Sequence, residues 1–233
     1  MDREAKKGEA ALHVVWDWNG TLLDDAAAVI AATVAAFAEA DLPEVTEEDY
    51  RRHFTRPIRS FYERLIGRRV GPDEWVRLDH AFHDRYQALC DACSLTSGAV
   101  EALELVRERG WTQSLCSMLP EQYLLPEVER HGIAGYFIRV DGLRGEERGG
   151  TKSRHLAVHL NGLSRRPSRA VLIGDTVDDA VAARDAGVDC ILLDGGGGLH
   201  TSGDLASTGV PVVATLSKAM ALVAVAEVPV TPG

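Results

Sequence analysis

Apolar and polar positions change rhythm twice along this chain. Leu12 to Trp16 is a short apolar run that predicts a buried strand, and it delivers Asp17 at its C-terminal end. Asn19-Gly20 follows at once, a dipeptide suited to a tight turn. After Asp25 the rhythm turns helical. Ala26 to Ala40 carries Ile30, Val34 and Phe37 at helical spacing, and Leu42-Pro43 ends it. Glu47 to Phe54 and Ile58 to Ile66 predict two shorter helices, separated by the Thr55-Arg56-Pro57 break. Pro72 to Cys90 predicts a longer one, with Trp75, Leu78, Phe82 and Tyr86 on one stripe. From Asp24 to about Leu95 no strand is expected.

From Ser97 onward, helical stripes alternate with apolar runs. Helices are predicted over Ala99–Arg109, Pro120–His131, Ser153–Leu163, Val177–Ala186 and Leu216–Val225. Strands are predicted over Thr112–Cys116, Tyr136–Val140, Ala170–Ile173, Cys190–Leu193 and Val210–Val213. Gly142–Gly150 reads as a polar loop, and the glycines Gly195 to Gly198 follow the strand ending at Leu193. This alternation predicts an α/β fold: right-handed crossovers and a parallel, Rossmann-like sheet covered on both faces. The helical stretch is then an insertion. The expected division is a core domain of residues 11–23 and 96–226 and an all-helical domain of residues 24–95.

The length of 233 residues suits one main domain with a large insertion, enough to bury a core without staples. A net charge of −10 argues against nucleic acid and anionic membranes as partners. Cys90, Cys93, Cys116 and Cys190 are scattered, two of them in apolar runs, which is not a disulfide framework. Cys90-Asp-Ala-Cys93 has redox-motif spacing but ends a helix, without the strand and turn such a site needs, and is read as structural. No leader or spanning run is visible, so a cytoplasmic location is expected, with frayed ends over residues 1–10 and 227–233.

The chemistry collects at predicted strand ends. Val171-Leu-Ile-Gly-Asp-Thr-Val-Asp-Asp179 is a buried strand ending in Gly174-Asp175, with a helix starting just beyond. Acids at a helix start stabilise it as caps, by about 0.3–1 kcal/mol. Asp175 stands earlier, at the strand tip, and Asp17 holds the corresponding tip of the first strand. Ligands of open parallel sheets bind outside such tips. Carboxylates converging there repel one another unless a cation sits among them, and Mg²⁺ favours carboxylate oxygen. Ser117 follows the second strand, with Ser114 as a fallback, and Lys152 opens the helix after the polar loop. A lysine there would hold an anion and balance the acids.

Asp17-Trp-Asn-Gly-Thr21, Ser117, Lys152 and Gly174-Asp-Thr-Val-Asp-Asp179, followed by Ala-Ala-Arg-Asp-Ala-Gly187, occur in an order and spacing that resemble the haloacid dehalogenase (HAD) superfamily. The likeness is to its phosphatase branch with an inserted helical cap, similar to phosphoglycolate phosphatases, and covers about residues 11–225. The resemblance implies a Mg²⁺-dependent phosphomonoester hydrolase acting on a small phosphorylated metabolite, as a monomer or homodimer. Asp17 would attack phosphorus to form an aspartyl-phosphate that water hydrolyses. Asp17, the Asn19 backbone carbonyl, Asp175 and Asp179 would hold Mg²⁺. Ser117, Lys152 and the backbone of Gly20 and Thr21 would bind phosphate oxygens.

Asn19 departs from the pattern, because the phosphatases carry an aspartate there that protonates the leaving alkoxide and later activates water. Such help is worth about 10²–10⁴-fold, so slow turnover, a bias toward good leaving groups, or a long-lived aspartyl-phosphate is expected. Phosphonoacetaldehyde hydrolases share a similar first motif but need a cap lysine, and no lysine lies between Lys7 and Lys152. Dehalogenases work without metal and lack the acidic pair Asp175 and Asp179. A phosphate-binding or regulatory protein, or a phosphotransferase, are the other expectations for such a site. Among the basic residues of the insertion, Arg56 and Arg59 are candidates for reading an anionic substrate. His80, His83, His155 and His159 are read as surface or structural.

Overall fold

A computed structural model describes residues 12–144, 151–164 and 167–225. The charged start, residues 145–150 of the polar stretch, and the tail from residue 226 lie outside the described residues.

The first strand, β1 (His13–Trp16), is buried along its whole length. A two-residue strand, β2 (Leu23–Asp24), leads into helices α1 (Ala26–Glu39), α2 (Glu47–His53), α3 (Ile58–Ile66) and α4 (Pro72–Cys90). The chain returns through β3 (Ser94–Leu95), which pairs antiparallel with β2. These two short strands lie at the edges of the stretch expected to be strand-free, and two residues are too few to leave a periodic signal.

Then come α5 (Ala99–Glu108), β4 (Thr112–Pro120), α6 (Glu121–Arg130), β5 (Val140–Leu143), α7 (Lys152–Asn161), β6 (Ala170–Gly174), α8 (Val177–Ala186), β7 (Asp189–Leu193), α9 (Ser202–Ser207), β8 (Val212–Val213) and α10 (Leu216–Val225). The sheet runs β5-β4-β1-β6-β7-β8 and every pairing in it is parallel. An all-parallel sheet buries both faces, and its strands read accordingly as continuous apolar runs.

Two expectations shift. The strand predicted to stop at Cys116 continues to Pro120, since Met118 and Leu119 prolong its buried run. The strand predicted over Tyr136–Val140 is a 3₁₀ turn at Ala134–Tyr136 followed by β5, which includes Gly142. Its polar Asp141 hid it. That carboxylate serves a buried polar chain beneath the sheet.

In this chain His13 bonds Thr112 Oγ1 (2.8 Å) and Ser114 Oγ (2.7 Å) through its two ring nitrogens. Ser114 Oγ bonds His159 Nε2 (2.7 Å), and His159 Nδ1 bonds Asp141 Oδ2 (2.7 Å). Four elements are thereby pinned in one register, and every buried ring nitrogen involved finds a partner, as low-dielectric surroundings demand. Burial works against the Asp141 carboxylate, but hydrogen bonds from His159 and Arg139 outweigh it and hold its pKa down at about 2. His13 is pushed down to about 4, first by burial and then by His159.

The sign of that shift gives a pH dependence. Unfolded His13 takes up its proton near 6.5, whereas folded His13 resists until about 4, so its contribution is complete above pH 6.5 and is lost as pH falls toward 4. At roughly 1.4 kcal/mol per unit, about 3 kcal/mol is at stake. Urea unfolding of the native chain and of His13→Gln across this range should show the native chain losing more stability, with parallel curves above pH 7.

Candidate active site

Asp17 follows β1, Asp175 follows β6, and Asp179 lies in the first turn of α8. One carboxylate oxygen from each falls within 4.8 Å of the others, and all three residues are buried. Parallel pairing of β1 with β6 accounts for the meeting, because Trp16 is level with Ile173, so the two strands deliver their acids at the same sheet edge.

Local sequence shapes each position. After Asp17, the N–H groups of Thr21, Leu22 and Leu23 all donate to the Trp18 carbonyl (3.3, 3.0 and 2.9 Å), folding the chain into a tight turn. Gly20 sits in that turn at φ +71°, and a Cβ there would collide with the Asp175 carboxylate. Asp179 does two jobs. Its Oδ2 accepts from the Thr176 N–H (3.0 Å) and hydroxyl (2.6 Å), while Thr176 Oγ1 accepts from the Asp179 N–H (3.2 Å), completing a capping box. Its other oxygen, Oδ1, pairs with Lys152 Nζ at 2.6 Å. Capping and site chemistry are carried by opposite edges of one carboxylate.

Lys152 opens α7, is 2% exposed, and also bonds Asp17 Oδ1. Three carboxyl groups share one ammonium in a buried space. The effects on acidity follow. Burial raises Asp17, to about 6, with Asp179 adding and Lys152 opposing. Burial, then Asp17 and Asp179, push Asp175 far above the usual carboxylate range. Asp179 stays low because Lys152 and Thr176 overcome its burial. Asp17 and Asp179 hold Lys152 protonated against the same burial. Asp175 Oδ2 is buried and accepts no hydrogen bond. An orphaned carboxylate oxygen facing two other acids is a donor set for a hard cation.

The predicted residues divide. Asp17, Asn19, Gly20, Thr21, Lys152, Asp175 and Asp179 come together at this edge. Ser117 stands one residue beyond the β4 position level with Asp17, fully buried, its Oγ accepting from the Leu119 N–H (3.1 Å). Ser114 belongs to the polar chain below. The backbone N–H groups of Gly20 and Thr21 are not aimed at the site, because the turn consumes them. Gly20 donates to Leu23 O (2.9 Å) and Asp25 Oδ1 (2.8 Å), and Thr21 donates to Trp18 O. Thr21 reaches the site through Oγ1, 3.5 Å from Asp175 Oδ1. Arg56 lies 3.7 Å from Asp178, beside the site. Arg59 does not come there. It bonds the Val70 carbonyl and lies 3.7 Å from Glu63, inside the helical insertion.

Asp25 and Tyr86 went unnoticed in the sequence. Asp25 immediately precedes α1 and is buried; its side chain makes no capping bond, and its Oδ2 accepts from Asn19 Nδ2 (2.7 Å) and from the Tyr86 hydroxyl (2.6 Å). Asn19 Nδ2 also donates to Tyr86 Oη (2.8 Å). Burial is the main reason Asp25 is raised, with these donors opposing. The only available signal was an acid where α1 begins, because its partner on α4 is 61 residues away.

The helical insertion also closes over the sheet edge through Arg51, whose Nε donates to Gly198 O (2.9 Å), and through Phe54 against His200 (5.0 Å between rings). The glycines after β7 supply those carbonyls.

Comparison with known proteins agrees with this geometry. A family model described as haloacid dehalogenase-like hydrolase matches residues 12–187. A phosphoglycolate phosphatase of Caulobacter vibrioides is 28% identical over 184 residues, covering 77% of this chain and 78% of that protein. An N-acetylmuramic acid 6-phosphate phosphatase of Pseudomonas aeruginosa is 30% identical over 175 residues, covering 75% of this chain and 77% of its own. Among solved structures, a predicted phosphatase from Clostridium acetobutylicum superposes with a TM-score of 0.79 at 16% identity, covering 92% of this chain and 98% of that one, a likeness of fold. With a family model matched over most of its length and relatives in agreement, the chain belongs to the haloacid dehalogenase-like hydrolases and is a phosphatase of that family.

Proposed function

We propose that this phosphatase hydrolyses a small phosphomonoester in two displacements, with Asp17 as nucleophile and Mg²⁺ as cofactor. The observation that carries this is the buried cluster of three acids around one lysine, with one orphaned oxygen on Asp175. Asp17, Asp175, Asp179 and the Asn19 backbone carbonyl are the groups that would hold the ion. When bound, Mg²⁺ screens charge so that an anionic nucleophile can approach an anionic phosphate.

The chain's own residues do the rest. Asp17 attacks phosphorus, the alcohol leaves, and water hydrolyses the resulting aspartyl-phosphate. Lys152 fixes the Asp17 carboxylate from one side and keeps a positive charge at the sheet edge for phosphate oxygens. Ser117 supplies a further hydroxyl on the neighbouring strand. Arg56 adds a cation on the insertion side.

Asn19 sets the rate. A carboxamide cannot shuttle a proton, and both of its Nδ2 hydrogens are already committed, to Asp25 and Tyr86. Poor leaving groups therefore turn over slowly. The same feature favours a long-lived aspartyl-phosphate, able to hand its phosphoryl group to an acceptor other than water.

Two outcomes are expected. In metal-free buffer, Asp175→Asn raises the thermal midpoint, because it removes an acid that burial and Asp17 both disfavour. Added Mg²⁺ then raises the native midpoint but not that of the variant; saturation at a hundred times Kd is worth about 2.7 kcal/mol. For turnover, acetyl phosphate, whose acyl leaving group needs no proton, is hydrolysed only with Mg²⁺ and not by Asp17→Asn. Asn19→Asp alone sets a carboxylate against Asp25 and gives little. Asn19→Asp combined with Asp25→Asn restores one acid and one amide, and raises alkyl phosphate turnover by about 10²-fold or more in steady-state assays.

A further inference from the structure

Between the helical insertion and the sheet edge lies a cavity of about 120 Å³. Its floor includes Asn19 and Met118 and its walls include Phe54, Tyr62, Phe82 and Tyr86. A larger cavity, about 720 Å³, opens at the opposite ends of the strands beside Leu12 and Asp189, where no acid of the cluster lies. We infer that the smaller cavity takes the leaving group, and that the substrate is an aryl phosphate, a phosphate monoester of a phenol. This names a substrate class for the hydrolase with Asp17 as nucleophile, and rests on that assignment.

Two independent features converge on it. The first is the wall. Tyr62 packs edge-on against Phe37 (5.0 Å) and Trp75 (5.8 Å), and Phe82 stacks with Tyr86 (5.8 Å, 11°), so the rings are held in place before anything binds. An apolar cavity of roughly 150 Å³ accepts a benzene ring, so the space here suits a single ring. Polar groups of Thr33, Tyr50, Asp79 and His83 interrupt the lining beside these rings. Arg56, on the lining, lies 3.7 Å from Asp178 and so faces the sheet edge.

The second feature is the missing proton. Asn19 has no N–H to spare, and the Tyr86 hydroxyl donates to Asp25. The leaving oxygen therefore departs as an anion. A phenol ionises near pH ~10, as tyrosine does, so phenolate departs unaided. An alkoxide is about as basic as hydroxide, far more so than phenolate, and departs badly without an acid.

In the reaction, an Asp17 oxygen forms a bond to phosphorus as the P–O(aryl) bond breaks, and that electron pair leaves on the phenolate. Water then adds to phosphorus, the Asp17–phosphorus bond breaks, and inorganic phosphate departs. One water proton ends on the phenolate through solvent, so an aryl phosphate and water give a phenol and phosphate.

The test compares phenyl phosphate, 2-phosphoglycolate and acetyl phosphate on the native chain with Mg²⁺. The expected result is a kcat/KM for phenyl phosphate at least about 10²-fold above that for 2-phosphoglycolate, the lower end of what an acid contributes when one is needed. Phenyl phosphate should also show the lower KM against acetyl phosphate, which lacks a ring. Val29→Trp, which fills the cavity from α1, should cut the phenyl-to-acetyl ratio of kcat/KM about tenfold. Acetyl phosphate hydrolysis accompanied by equal or better use of 2-phosphoglycolate overturns the aryl assignment and leaves the hydrolase standing. No hydrolysis of any of the three overturns the hydrolase itself, and the aryl assignment with it.

Discussion

Three acids buried around one lysine form the constraint on which the sheet edge depends. Asp17, Asp175 and Asp179 each lose hydration on folding, and Lys152 offsets only part of the mutual repulsion. Buried ion pairs of this kind contribute little net stability, and removing one partner is costly. The arrangement is a liability for the fold, and it gathers carboxylate oxygens of the kind a hard cation takes. The surrounding design keeps the acids in place. The turn after Asp17 is closed on Trp18, the capping box fixes Asp179, and the absence of a side chain at Gly20 leaves room for Asp175.

The helical insertion meets this edge through polar contacts that reach the turn after Asp17. Tyr86, on α4, bonds both Asn19 and Asp25, so the turn after Asp17 is held to the helical insertion. Where a proton-carrying side chain would need freedom to turn between substrate and solvent, this amide is fixed by its two donors. The amide at residue 19 is matched by a carboxylate at residue 25, and the pair is a self-consistent unit.

Much of the site was legible because strand tips and helix starts leave local signals. Asp17 and Asp175 each end a buried apolar run, and Asp179 sits where a helix must begin. Lys152 stood out as one of the few lysines and as the start of α7. What stayed hidden depends on distant partners. Nothing near Asp25 announces Tyr86, and nothing near His13 announces Ser114, His159 or Asp141. The strand β5 was misplaced for that reason: Asp141 is polar because a buried histidine needs it, and polar residues read as loop. Arg56 and Arg59 look alike in sequence, and only packing decides that one turns toward Asp178 and the other toward Val70.

The order of the strands sets a timetable for the chain as it is made. β1 lies at the centre of the sheet, yet one neighbour, β4, pairs with it through residues 99 positions later, and the other, β6, begins only at Ala170. Contacts so far apart must close large loops before they return any energy. Asp17 emerges early and waits through the whole helical insertion with none of its later partners made. The acids meet only when β6 docks, after β1 and β4 are available to pair, so the repulsion among them is imposed on a sheet already half assembled. A chain stopped short of Ala170 has β1 and the helical insertion but lacks Asp175 and Asp179, so the carboxylate cluster cannot exist before the core is complete.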